Sequence, residues 1–143
     1  IKFQPIKFDE TFTIEGIEFL PIEVNHVVES LGFILRKNGE AIAYSGDTGI
    51  CENFVNHIND DHSIKTICWE TSFPNRLEKL ATASKHLTPS QLSGELAKIK
   101  HHCDIHTFHL KPNLEDEIID DIKSIKSPMK IIPMKQKRPI TVS

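Results

Sequence analysis

At Gly49 the hydrophobic period of the chain changes, and that change limits the folds open to it. Before Gly49 the apolar residues come in short runs with strand-like alternation: Phe12 to Ile17, Glu18 to Asn25, Leu31 to Arg36 and Glu40 to Ser45. The last two flank Lys37-Asn38-Gly39, and Asn-Gly between alternating runs is a strong hairpin signal. After Gly49, compact apolar runs alternate with segments of helical period. Ile64–Thr71, Cys103–Leu110 and Met129–Met134 read as strands. Cys51–Asn59 reads as a helix with Phe54, Val55 and Ile58 inward. Asn75 is placed to cap a helix over Arg76–Ser84, with Glu78 completing a capping box. Thr88 caps the next helix, with Pro89 at its first position, Gln91 completing the box, and Leu92, Leu96 and Ile99 on one face. Asn113 is placed to cap a helix whose apolar face is Leu114, Ile118, Ile122 and Ile125. The expected class is therefore α/β: a β-meander followed by alternating strands and helices, one sheet covered by helices on at least one face.

With 143 residues the chain can form one domain with a real core. A net charge of −3 argues against a general nucleic-acid binder. No run is long or apolar enough to span a membrane. Cys51, Cys68 and Cys103 form no CxxC pair and suggest no disulfide framework, so reduced thiols and a cytoplasmic setting are expected. The chain opens at Ile1 directly on a strand-like run, Ile1–Ile6, and reads as a piece of a longer protein. An export signal further upstream would leave a periplasmic or secreted location open.

The chemistry-bearing residues sit where strands end. His26 ends the strand before the hairpin, Asp47 follows the strand Ala41–Tyr44 within Ser45-Gly46-Asp47-Thr48-Gly49, and His109 ends the strand before Lys111-Pro112. Two imidazoles and a carboxylate at fixed points of a sheet could converge on a borderline metal such as Zn²⁺. Each also has a plainer reading, Asp47 as a turn or cap residue and each His as a packed or surface side chain. His86, in a loop before Leu87-Thr88-Pro89, could donate a proton to a leaving oxygen, and Glu70 could orient it. His101, His102 and His106 read as a helix end and an outer strand face; His57 and His62 carry little signal. No GxSxG elbow and no phosphate-binding glycine loop is present. Catalysis by these residues would need a metal.

The segments Asn25-His26, Ser45-Gly46-Asp47-Thr48, Glu70-Thr71-Ser72-Phe73-Pro74-Asn75, His86-Leu87-Thr88-Pro89, Gln91–Leu96 and His109-Leu110-Lys111-Pro112 occur in a fixed order. That order resembles the C-terminal half of the metallo-β-lactamase superfamily fold, an αββα sandwich, in its phosphodiesterase branch. The branch includes tRNase Z and the class II 3′,5′-cyclic-nucleotide phosphodiesterases, and the resemblance is closest to the latter, from about Ile14 to the chain end. It implies two divalent metal ions, zinc first and manganese or iron as alternatives. His26, Asp47 and His109 would be ligands, with Asp47 bridging; His86 would be the proton donor, with Glu70 its acidic neighbour. It implies hydrolysis of cyclic AMP or cyclic GMP to the nucleoside 5′-monophosphate, with tRNA processing as the rival activity.

Two departures stand out. Lys85 takes the place of the usual glycine before the loop histidine, and the H-x-H-x-D-H signature that supplies further ligands is absent. The whole chain, 1–143, would then be half of a larger domain, inactive alone, its inner sheet face apolar and in need of the missing half or a second chain. A non-catalytic half-domain that pairs with another chain is the remaining alternative.

Overall fold

The computed structural model describes Phe3 and residues 5–134. Of the Ile1–Ile6 run, Ile1, Lys2 and Gln4 lie outside the described residues, and Phe3, Pro5 and Ile6 are not in a strand. Seven strands form one sheet in sequence order: β1 (Phe12–Ile14), β2 (Ile17–Glu23), β3 (Leu31–Lys37), β4 (Glu40–Tyr44), β5 (Ile64–Glu70), β6 (Asp104–Phe108) and β7 (Ile131–Pro133). The first three pairings are antiparallel and the last three parallel. The junction is β4, where the period changes in the sequence. The β3–β4 hairpin pairs Lys37 with Glu40 across Asn38 and Gly39, both at positive φ (53° and 84°), as a type I′ turn demands.

Parallel neighbours need crossover helices. These are α1 (Glu52–Asp60) after β4, a 3₁₀ turn (Asn75–Leu77) with α2 (Glu78–Ala83) and α3 (Pro89–Leu96) after β5, and α4 (Glu115–Lys123) after β6. α1 buries Phe54, Val55 and Ile58, and α3 buries Leu92 and Leu96, against Ile22, Ile34, Ala43, Ile67, Trp69 and Ile105 of the sheet. Phe54 meets Trp69 edge to face at 5.2 Å between ring centres. Truncating so large a buried ring costs about 3–5 kcal/mol.

Two caps differ from expectation. Thr88 makes its full capping box with Gln91. Asn75 does not cap a helix; its side-chain carbonyl accepts the N–H of Ser90 at the start of α3, and the chain turns as a 3₁₀ helix before α2. Asn113 adopts a left-handed conformation (φ 66°), so Leu114 takes the N-cap position of α4 with no side-chain cap. A tertiary acceptor in one case and a turn in the other claimed the residue that local pattern would spend on a helix end.

Among the described residues no helix covers the opposite sheet face, which is apolar along β1 to β4. Phe12, Ile14, Phe19, Phe33, Leu35, Ile42, Tyr44 and Cys68 line a shallow groove of about 430 Å³ with no polar lining. Phe12 stacks on Phe19 at 5.2 Å, and Tyr44 on Phe108 at 4.9 Å. Ile14 is 55% exposed.

Candidate metal and proton-transfer site

Because β2 and β3, and β3 and β4, run antiparallel, β2 points the same way as β4, β5 and β6. The C-terminal ends of these four strands therefore share one sheet edge, where open α/β sheets place ligands. His26 follows β2, Asp47 follows β4, Glu70 ends β5 and His109 follows β6.

Hydrogen bonds stitch these loops together. Gly49 N–H donates to Asn25 O (2.8 Å), Asn25 N–H to Thr48 Oγ1 (3.1 Å), and the Asn25 amide to Ile50 O (2.9 Å). Ser45 accepts the N–H of Glu70 (3.0 Å) and so ties the ends of β4 and β5. Gly46 turns the chain at φ 60°, and a Cβ there would lie 2.3 Å from Leu31 O, so no larger residue fits beside Asp47.

One ligand atom each from His26, Asp47 and His86 lies within 4.8 Å of the others. His109 Nε2 is 3.6 Å from Asp47 Oδ2, and the His109 ring centre is 5.3 Å from that of His86. His26, Asp47, His86 and His109 thus meet at one edge, and His86 lies closer to His26 and Asp47 than a proton donor separate from the ligands implies. His101 and His62 stack at 4.8 Å on each other, bonded through His101 to Ile64 O at the start of β5, and His106 lies on β6; none joins the cluster.

His26 Nδ1 donates to Lys85 O at 3.0 Å, which leaves Nε2 with its lone pair free. This is the outer contact that metal-bound imidazoles commonly make. Burial lowers the pKa of His109, against the pull of Asp47, and so keeps that imidazole neutral, the form that binds metal. Nitrogen and carboxylate donors without thiolate suit zinc, manganese or iron, so the residues present fit the implied ions. His26, Asp47 and His109 would hold them.

Glu70 is fully buried and surrounded by donors. Its Oε1 accepts Thr48 N–H (3.2 Å), and Oε2 accepts the Ser72 hydroxyl (3.0 Å) and Leu87 N–H (3.4 Å). His86 Nδ1 lies 2.5 Å from Oε1. Burial pushes Glu70 up to about 8 in spite of those donors, and burial with nearby Lys111 and His26 takes His86 down to about 4. At pH 7 the pair is therefore neutral and shares one proton between Oε1 and Nδ1, with the His86 Nε2–H directed to the open site. The supporting roles of Asn25, Ser45, Thr48 and Ser72 were not read from the sequence, although four of the five residues of Ser45–Gly49 turn out to brace the site.

No protein-family profile matches the chain, and no curated protein does. Solved structures do. The metallo-β-lactamase fold protein YhfI from Bacillus subtilis is 15% identical with a TM-score of 0.73, covering 94% of this chain and 52% of its own. Human tRNase Z, short form, is 13% identical with a TM-score of 0.67, covering 92% and 46%. A diphosphatase of the PhnP family is 15% identical with a TM-score of 0.61, covering 87% and 44%. The chain has the metallo-β-lactamase type of fold and spans about half the length of these structures.

Proposed function

We propose that this chain is the metal-holding and proton-donating half of a metal-dependent hydrolase acting on 3′,5′-cyclic nucleotides. The observation that carries the proposal is the convergence of His26, Asp47 and His86 at one sheet edge, with Glu70 buried behind His86. Divalent ions at this edge would supply an acidified water and offset phosphoryl charge. The chain's own residues would do the rest. Asp47 and the free Nε2 of His26 would fix the ions. His86 would give its Nε2 proton to the departing ribose oxygen, while the shared proton settles on Nδ1 and leaves Glu70 as the carboxylate that Thr48, Ser72 and Leu87 stabilise. Lys111, with its ammonium 5.6 Å above the Phe73 ring and 3.3 Å from His109 Nε2, is near enough to meet a phosphate.

tRNA cleavage is the second reading, since one of the similar structures is a tRNase Z and another a long-form RNase Z from yeast. A feature beside the site disfavours it. The groove next to His26, about 780 Å³, carries Asp9, Glu23, Glu29 and Glu52 against Lys85. Such a wall repels a polyanion. The β3–β4 hairpin also closes in two residues and carries no arm.

The uncovered apolar sheet face supports a partner for that face, either the rest of a longer chain or a second copy. Membrane insertion gains no support: among the described residues no helix is long and apolar enough to cross a bilayer. The unpaired cysteines Cys51, Cys68 and Cys103 are the ground for proposing a cytoplasmic setting. The test is to load the complete protein with zinc or manganese and assay cyclic AMP, cyclic GMP and a precursor tRNA. Release of nucleoside 5′-monophosphate, lost in His86→Ala, is expected; inertness toward both cyclic nucleotides would overturn the reading.

A further inference from the structure

Lys85 sits between α2 and His86 in a conformation that side-chain-bearing residues seldom adopt, with φ at 52°. It packs closely on the Asp47 loop, since a Cβ at Gly49 would lie 3.3 Å from Lys85 Cα. Two hydrogen bonds join it to His26 in opposite senses. The His26 ring donates from Nδ1 to Lys85 O at 3.0 Å, and the Lys85 ammonium donates to His26 O at 3.0 Å. The two residues are 59 positions apart, so the contact is purely tertiary.

A glycine at position 85 would hold the same φ without strain and would still present the carbonyl. It would lack the ammonium. Strain of this kind at a non-glycine residue persists only where the surroundings hold it. Here the Lys85 N–H donates to Thr82 O at 3.2 Å, and the ammonium adds a contact on the backbone of His26.

We propose that Lys85 is a positioning residue for His26. Its reciprocal clamp fixes the His26 ring as the Nδ1–H tautomer and joins the loop carrying His26 to the loop carrying His86. The ligand and the proton donor then keep one relative placement. This rests on the reading of His26 as a metal ligand.

Three variants test it. Lys85→Met keeps the apolar stem and removes the donor, Lys85→Arg restores a donor, and Lys85→Gly relieves the backbone. Zinc affinity is measured by competition with a chromophoric chelator. The His26 tautomer is read in the metal-free protein by long-range proton–nitrogen NMR of the imidazole. Lys85→Met keeps the carbonyl that faces the His26 ring but loses the ammonium that holds the two loops together, so it is expected to weaken zinc binding about tenfold and to give a mixture of His26 tautomers. Lys85→Arg should recover both. Lys85→Gly should lose zinc affinity like Lys85→Met while unfolding no earlier than the parent. Zinc affinity within twofold of the parent in Lys85→Met, with His26 still wholly Nδ1–H, overturns the proposal; so does a loss of stability alone. If the parent chain binds no zinc, the metal reading fails, and the tautomer measurement still decides the clamp.

Discussion

Replacing Glu70 by Gln changes one atom and should disturb a whole network. Oε2 accepts from Ser72 and Leu87, and Oε1 accepts Thr48 N–H while sharing a proton with His86. A Gln carbonyl placed toward Ser72 and Leu87 keeps two of these bonds. Its amide then faces His86 Nδ1, to which it can donate, and Thr48 N–H, to which it cannot. One buried backbone donor is orphaned, at a cost of about 1–3 kcal/mol. The opposite amide orientation orphans two donors and costs more. Urea denaturation of the metal-free protein at pH 7 should therefore show Glu70→Gln less stable by about 1–3 kcal/mol, and Glu70→Ala, which leaves every donor unpaired around a cavity, less stable still. The Gln variant should also fix His86 as the Nε2–H tautomer at all pH values above its own titration, because an amide cannot give up its proton. Equal stability of the parent and Glu70→Gln at pH 7 would refute the network, and a parent His86 that stays Nε2–H well above pH 8, as in the variant, would refute the shared proton.

Asp61 gives a pH test away from the site. Burial acts against its charge, but the Ser63 hydroxyl and Arg36 outweigh burial and hold its pKa below 3.8. A carboxyl depressed on folding contributes stability above its unfolded pKa and loses it as pH falls through the folded value. Asp61→Asn should thus flatten the urea midpoint between pH 5 and pH 3, where the parent loses stability. Gly46→Ala should destabilise by more than about 1 kcal/mol, because the new Cβ meets Leu31 O at 2.3 Å and φ is 60°; a parent-like melting temperature would count against the turn. Cys68 lies on the open apolar face, whereas Cys103 is 1% exposed with its thiol pushed up to about 11. Maleimide should label Cys68 first in a monomer, and protection of Cys68 in an assembly seen by light scattering would locate a partner on that face.

The strand ends were legible because each closes an apolar run, and rigid strand ends are where His26, Asp47, Glu70 and His109 stand. The helix faces were legible for the same reason: Phe54, Val55 and Ile58 of α1 and Leu92 and Leu96 of α3 are buried as their spacing requires. The capping asparagines misled because Asn75 and Asn113 serve tertiary structure and a turn. Lys85 and Ser72 were illegible in principle. Their meaning lies in partners that the chain brings near only by closing the sheet, His26 across 59 residues for Lys85 and His86 beside Ser72. The position of His86 illustrates the same limit: its loop was visible, but its approach to His26 at 4.9 Å between ring centres was not.

Bound metal tests the central claim most directly. The chain and its Asp47→Ala variant, saturated with zinc and freed of excess by gel filtration, are compared by elemental analysis. The account predicts at least one tightly held zinc per parent chain and its loss from Asp47→Ala. Equal zinc in both, or none in either, would contradict the assignment of this sheet edge as a metal site.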